Sequence, residues 1–241
     1  MAGAVTRKLR QGLYEAMALG ARYPRLAVPV ARWRGYGAPL SADTEIVIEG
    51  FPCSANTFVV EAFRLAQGRP VGVAHHLHAP GHVIAALRRG VPALVLIREP
   101  DGAASDFARA KPALTLAQVL RAYVRFYEPL LEYRHRLVVG PFEEVTTDLG
   151  AVIRRVNVRF GTAFEEFRHT EENMAQAREA ADDYWETRRE GGRPLLGRIA
   201  PGPVVSPDHG AVDRGRHGVG PLEAIRRRAH RSYLAMTRGG R

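Results

Sequence analysis

Glu45-Ile-Val-Ile-Glu-Gly-Phe-Pro-Cys-Ser-Ala-Asn-Thr-Phe58 decides how this chain folds. The run up to Glu49 has the composition of a buried strand, Gly50 and Pro52 turn the chain, and from Thr57 apolar residues recur at helical spacing. A strand that turns straight into a helix aims several unpaired backbone N–H groups and the positive end of a helix dipole at one spot. An anion binds there without a dedicated charged side chain. The nucleoside triphosphatase version of such a loop, Gly-x-x-x-x-Gly-Lys-Ser/Thr counted from Gly50, needs Gly at Ala55 and Lys at Asn56, and only Thr57 fits.

Outward from this stretch, short apolar runs alternate with helical patterns. A strand over 45–49 is followed by a helix over 57–67, a strand over 71–76, a helix over 81–89 and a strand over 93–97. That rhythm predicts an α/β fold, a three-layer α/β/α sandwich around a central parallel sheet with right-handed crossovers. Leu114 to Tyr133 has helical spacing, Arg136 to Val139 reads as a further strand, and Thr147 to Phe160 as a helix with Asp148 in its first turn. Residues 1–44 read as a basic N-terminal helical extension, with apolar Leu9, Leu13, Ala16 and Met17 and breaks at Pro24 and Pro29. The α/β domain is expected over 45–241, with its core in 45–167. Its C-terminal part holds a charged helix over 171–189, a Gly/Pro-rich loop over 191–220 and a basic helix over 221–236.

With 241 residues and 46% hydrophobic composition, the chain has the length for one α/β domain with a large core. No apolar run approaches the ~20 residues of a membrane span, and the first ten residues lack a signal-peptide centre. A cytoplasmic location is the expectation, and a lone cysteine, Cys53, fits a reducing compartment. The net charge of +10 is divided as +5 in 1–44, +7 in 214–241 and −2 between. Such basic ends suit contact with an anionic membrane surface. Nucleic-acid binding is not expected, because no basic helix with interleaved aromatics accompanies the charge.

Two further segments carry chemistry. Arg98 stands at the carboxyl end of the third strand, the edge where open α/β sheets gather ligands, and a guanidinium forks onto phosphate oxygens. Val73-Ala-His-His-Leu-His-Ala-Pro80 ends a strand in three histidines, with His76 and His78 on one strand face and His75 on the other. A histidine accepts protons near neutral pH, its unperturbed pKa being ~6.5. A metal site from His76, His78 and His82 is the weaker reading, because Pro80 and Gly81 break the spacing and no ligand set is completed nearby. Cys53 at a helix start is a candidate for a lowered pKa and reactivity.

Gly50, Phe51, Pro52, Ser54, Ala55, Asn56, Thr57 and Phe58 resemble the 5′-phosphosulfate loop of sulfotransferases that use 3′-phosphoadenosine 5′-phosphosulfate (PAPS). Cys53 departs from the pattern, standing where that family places a cation. Arg98 and Pro100 resemble the family's Arg-x-Pro segment, whose Arg and a later Ser hold the 3′-phosphate; Ser105 falls one residue early. His78-Ala-Pro80 resembles its His-x-Pro, and 136–164 its strand, acidic turn and helix. Arg214-Gly-Arg216 loosely echoes its basic C-terminal signature.

The resemblance implies a P-loop-like sulfotransferase fold and sulfuryl transfer from PAPS to a hydroxyl or amine, without a metal. His78 would be the general base. The donor would be held by Phe51, Pro52, Cys53, Ser54, Ala55, Asn56 and Thr57, with Arg98, Ser105, Arg214 and Arg216. The acceptor, a small molecule, saccharide or lipid, would meet the segments around Gly81, 111–116 and 171–220. A degenerate relative that binds nucleotide without turnover, and an ATP-dependent phosphotransferase, are the other readings.

Overall fold

Four short strands build the centre of the molecule: β1 (Ile46–Gly50), β2 (Val73–His75), β3 (Ala93–Ile97) and β4 (Val138–Pro141). All pair in parallel in the order β2-β1-β3-β4. The computed structural model describes residues 2–34, 37–191 and 220–238. Between the strands run α3 (Asn56–Ala66), α4 (Pro80–Arg88), α5 (Pro100–Ala110) and α6 (Leu116–Leu131).

Strands covered on both faces read as unbroken apolar runs, and Ala-Leu-Val-Leu-Ile of β3 is buried at every position. Alternate residues serve opposite cores. Ile46, Ile48, Leu94 and Leu96 pack with Phe58 and Phe63 of α3 and with Val152 and Ile153 of α8 (Leu149–Phe160). Val95 and Ile97 pack with Val83 of α4, Phe107 of α5, Tyr123 and Tyr127 of α6, and Ala229 of α10 (Pro221–Thr237). A four-stranded parallel sheet with helices on both faces is therefore the architecture.

The N-terminal segment is fastened to this core. Its helices α1 (Ala2–Gly20) and α2 (Pro24–Arg34) pack on α6 and α4. Ala38 forms an antiparallel bridge with His75, and Leu40 is buried with Val47, Ala74 and Ala86. Two sequence expectations are corrected here. Pro24 starts α2, as proline at a first helical position does, but Pro29 lies inside that helix instead of breaking it. An interior proline costs ~3 kcal/mol, and the helix persists because Val28 and Ala31 are buried on its inner side. The helix expected over 147–160 starts at Leu149 as α8, behind a short unexpected helix α7 (Phe142–Thr147), and Asp148 precedes its first turn as the cap, its carboxylate accepting from Ala151 N at 3.0 Å.

The strand order fixes where a site can form. The chain leaves β1 toward β2 and later returns across β1 to reach β3, so α3 and α5 depart to opposite faces. The carboxyl ends of β1 and β3 are the topological switch point, the place where open sheets bind ligands.

Candidate functional site

Gly50 ends β1, where a Cβ would lie 2.7 Å from Leu96 O and 2.9 Å from Asn56 Oδ1, so the close approach of β3 and the loop requires glycine. Asn56 Nδ2 donates to Phe51 O at 2.9 Å and closes the loop. At the position where a triphosphatase has its lysine, this amide is a brace. Tyr127 Oη accepts from Phe51 N (3.2 Å) and donates to Leu96 O (2.8 Å), while Tyr123 Oη donates to Arg98 O (2.7 Å). One helical turn apart on α6, two buried phenols thus tie the exits of β1 and β3. Burial pushes both phenols up, keeping them as donors.

Between these anchors, Cys53 and Ala55 both adopt left-handed backbone (φ 64°), with Ser54 between them. Such alternation turns successive N–H groups toward one concavity. None of the N–H groups from Cys53 through Phe58 donates a hydrogen bond within the described residues, and α3 has no side-chain cap. The Ser54 hydroxyl is buried close to the Tyr127 phenol without a well-aligned bond to it. Phe51 is core, edge-on to Phe107 and Tyr123, and Pro52 is buried, so both shape the loop without offering it donors. Unpaired N–H groups at a helix start have the chemistry to accept an anion.

The histidine segment does not continue β2 as an alternating strand. His75 is its last residue, and His76 (φ 61°) and His78 (φ 50°) are both left-handed, a conformation that costs an L-residue about 1 kcal/mol or more. The compensation is Glu49, a fully buried carboxylate in the middle of the sheet. It accepts from Leu77 N (2.7 Å), His78 N (3.0 Å) and His82 Nδ1 (2.8 Å). His82 Nε2 in turn accepts from Leu40 N at 3.0 Å, which leaves its proton on Nδ1. The bend brings His78 back over β1, where Nδ1 lies 2.7 Å from Gly50 O. A carbonyl only accepts, so Nδ1 carries a proton, and in the neutral ring Nε2 has the lone pair, with no partner among the described residues. Sequence reading missed Glu49, although an acid inside an apolar strand demands buried donors.

His75 and His76 form a polar chain instead. Arg64 Nη2 meets His75 Nε2 at 3.0 Å, the two Nδ1 atoms are 2.5 Å apart, and His76 Nε2 lies 2.9 Å from Thr57 Oγ1. Arginine only donates, which fixes the direction: His75 accepts at Nε2 and donates from Nδ1, and His76 accepts at Nδ1 and donates from Nε2 to Thr57. Trp185 of α9 (Glu171–Gly191) donates from Nε1 to the same Thr57 oxygen at 3.0 Å, and Tyr184 stacks on His76 at 4.9 Å. Both lone pairs of Thr57 are filled, leaving its proton to donate. Arg64, Tyr184 and Trp185 have no motif at their positions, and distance in sequence hides them.

Arg98 reaches the loop from β3, donating from Nη1 to Cys53 O (3.1 Å) and pairing with Asp106 (2.8 Å), with its guanidinium over the Phe142 ring. The two sequence-predicted donor segments therefore meet. Ser105 is on α5, half-buried, and Asp106 beside it takes the place at Arg98 that the resemblance gives to serine. Burial pushes the Cys53 thiol up to about 12, reversing the expectation of a lowered pKa. Arg214 and Arg216 lie outside the described residues.

Both ring nitrogens of His76 and of His82 are engaged, so these two cannot join His78 in a metal site. The carboxylates of Glu99 and Asp101, at the start of α5, gather with His230 of α10. There Asp101 pairs with Arg226 (3.0 Å) and Glu99 caps α5 through Gly102 N (3.0 Å). A guanidinium already supplies the positive charge of that cluster. Among known proteins, no family model, no curated protein and no solved structure matches this chain significantly.

Proposed function

We propose that this protein is a sulfotransferase that moves a sulfuryl group from PAPS to a hydroxyl or amine of an acceptor. The observation that carries the reading is the 2.7 Å bond from His78 Nδ1 to Gly50 O, which holds an imidazole with a lone pair on Nε2 beside a loop of unpaired N–H groups. His78 Nε2 takes the acceptor's proton while the acceptor oxygen or nitrogen forms its bond to sulfur. The bond from sulfur to the bridging oxygen breaks, and the electrons go to the 5′-phosphate. The amides of residues 53–58, the α3 dipole and the Thr57 hydroxyl stabilise that charge, a task of positioning and preorganised electrostatics. Arg98, which donates to Cys53 O, brings a cation to the loop and serves the nucleotide's phosphates.

A second reading is favoured by the same arginine. Its charge is matched by Asp106, and Cys53 brings none, so the domain would bind the nucleotide without turning it over. An ATP-dependent phosphotransferase is disfavoured, because Asn56 is used within the loop and no lysine replaces it.

Calorimetric binding of 3′-phosphoadenosine 5′-phosphate to the wild type and to Arg98→Ala, with ATP and Mg²⁺ in comparison, is the test. Binding that weakens in the variant, followed by sulfuryl transfer from PAPS, is the expected result. Binding without transfer to any hydroxyl or amine selects the second reading. Absence of binding, or preference for ATP, overturns both.

A further inference from the structure

The outer side of α2 carries an apolar stripe that nothing among the described residues covers. Leu26, Val30 and Trp33 recur at intervals of four and three residues, which places them on one helix face. They are 52%, 45% and 82% exposed, and Tyr23, just before the helix, is 49% exposed. The opposite side is spent on the fold, with Val28 and Ala31 buried and the helix packed on α4. The stripe is thus not an inner face left uncovered.

The charges around it have one sign. Residues 8–34 hold six cations and one acid, Glu15. Glu15 is turned inward onto Arg121 and Arg125 of α6. Arg22, Arg25 and Arg32 are exposed beside the stripe; Arg22 lies over the Tyr23 ring and Arg32 also reaches Leu40 O. A short helix with aromatic and aliphatic residues on its outer face, flanked by arginines with no exposed acid, is the composition of a helix lying in the interface of an anionic bilayer. Nucleic acid would use the charge and leave the stripe in water. A second copy docked stripe to stripe would cover the apolar residues but set arginines against arginines.

We infer that α2 is a peripheral membrane-docking helix, seated on anionic lipid with Leu26, Val30 and Trp33 in the headgroup region. No helix among the described residues is long and apolar enough to cross a membrane. The surface is joined to the histidine segment: Gly81 N donates to Ala21 O at 2.9 Å, and a Cβ at Gly81 would sit 2.7 Å from that oxygen. The turn leading into α2 is therefore held three residues from His78. This inference stands on α2 alone and does not depend on the sulfotransferase reading.

The chain has two tryptophans, so Trp185→Phe leaves Trp33 as the only indole. That variant is titrated with phosphatidylcholine vesicles with and without phosphatidylglycerol, following emission and co-sedimentation. The expected result is a blue shift and co-sedimentation with anionic vesicles only, both suppressed by salt. Arg22→Glu with Arg25→Glu should weaken binding more than about tenfold, as should Val30→Ser with Trp33→Ser in the wild-type background, at unchanged circular dichroism. Any of three results overturns the inference: an unshifted Trp33 on anionic vesicles, tight binding of a DNA oligonucleotide that Val30→Ser with Trp33→Ser leaves intact, or a dimer in sedimentation velocity that this pair dissociates.

Discussion

His78 and Gly50 are bound to each other through Nδ1 and the carbonyl, 2.7 Å apart, although 28 residues separate them. The contact sets the tautomer of the ring and the direction of its lone pair. His78→Ala should lower sulfuryl transfer ~10²–10⁴-fold, the usual range for a lost general base, while 3′-phosphoadenosine 5′-phosphate binds as before. Glu49→Gln, which touches the His78 amide and not the reacting groups, should lower turnover with the base still present. Steady-state rates beside calorimetric affinities separate the two, and equal loss of affinity and turnover in His78→Ala would remove the base assignment.

Thr57 should behave as the end of a chain that starts at Arg64. Thr57→Val and Arg64→Met should each weaken nucleotide binding by roughly ten- to a hundredfold, the worth of one hydrogen bond to a charged group. The double variant should lose little more than the worse single one. Nitrogen-15 spectra of the side chains should show His75 protonated on Nδ1 and His76 on Nε2. Identical tautomers at the two residues would break the chain of donors.

Cys53 should be inert toward iodoacetamide in the folded protein. With its thiol pushed up to about 12 by burial, the thiolate fraction at pH 8 is roughly 10³-fold below that of a free cysteine at ~8.5. Alkylation at the free-thiol rate under native conditions would contradict the buried loop geometry. Unfolding in urea should restore the ordinary rate.

The docking of α10 on α5 should depend on pH through His230 and Asp101. The hydrogen bond to Asp101 raises His230 above its usual value, and the same bond lowers Asp101. A raised histidine contributes stability that is complete below its unfolded pKa of ~6.5 and is lost as pH climbs through the folded value. A lowered aspartate contributes above ~3.9 and loses its part as pH falls. Stability should therefore peak between these limits and decline above neutrality, by less than about 1 kcal/mol because His230 is 38% exposed. Urea midpoints for the wild type and His230→Phe across pH 5 to 9 should converge at the alkaline end, and parallel curves would sink the assignment.

How much could be read from the sequence follows the range of each interaction. β3 was legible from residue to residue because a run such as Ala-Leu-Val-Leu-Ile has few alternatives once turns bound it. The loop after Gly50 was legible because glycine, proline and the helix pattern are local signals. Pro29 misled because propensity is a local quantity and the burial of Val28 and Ala31 is not. The strand alternation expected for His76 and His78 failed for a similar reason: the left-handed bend is held by Glu49, which lies 28 and 29 residues before the amides it binds. Trp185 on Thr57, 128 residues apart, leaves no trace in spacing or composition.

The two phenols of α6 bear on the order in which the molecule assembles. Phe51 N and Leu96 O are joined through Tyr127, 76 residues beyond the first and 31 beyond the second. Closing so long a loop is entropically costly and comes after local structure. A chain growing from its N-terminus therefore carries the β1–α3 junction without its clamp until α6 is made, and without the Trp185 bond to Thr57 until α9 follows. The junction takes its final shape from residues made long after its own.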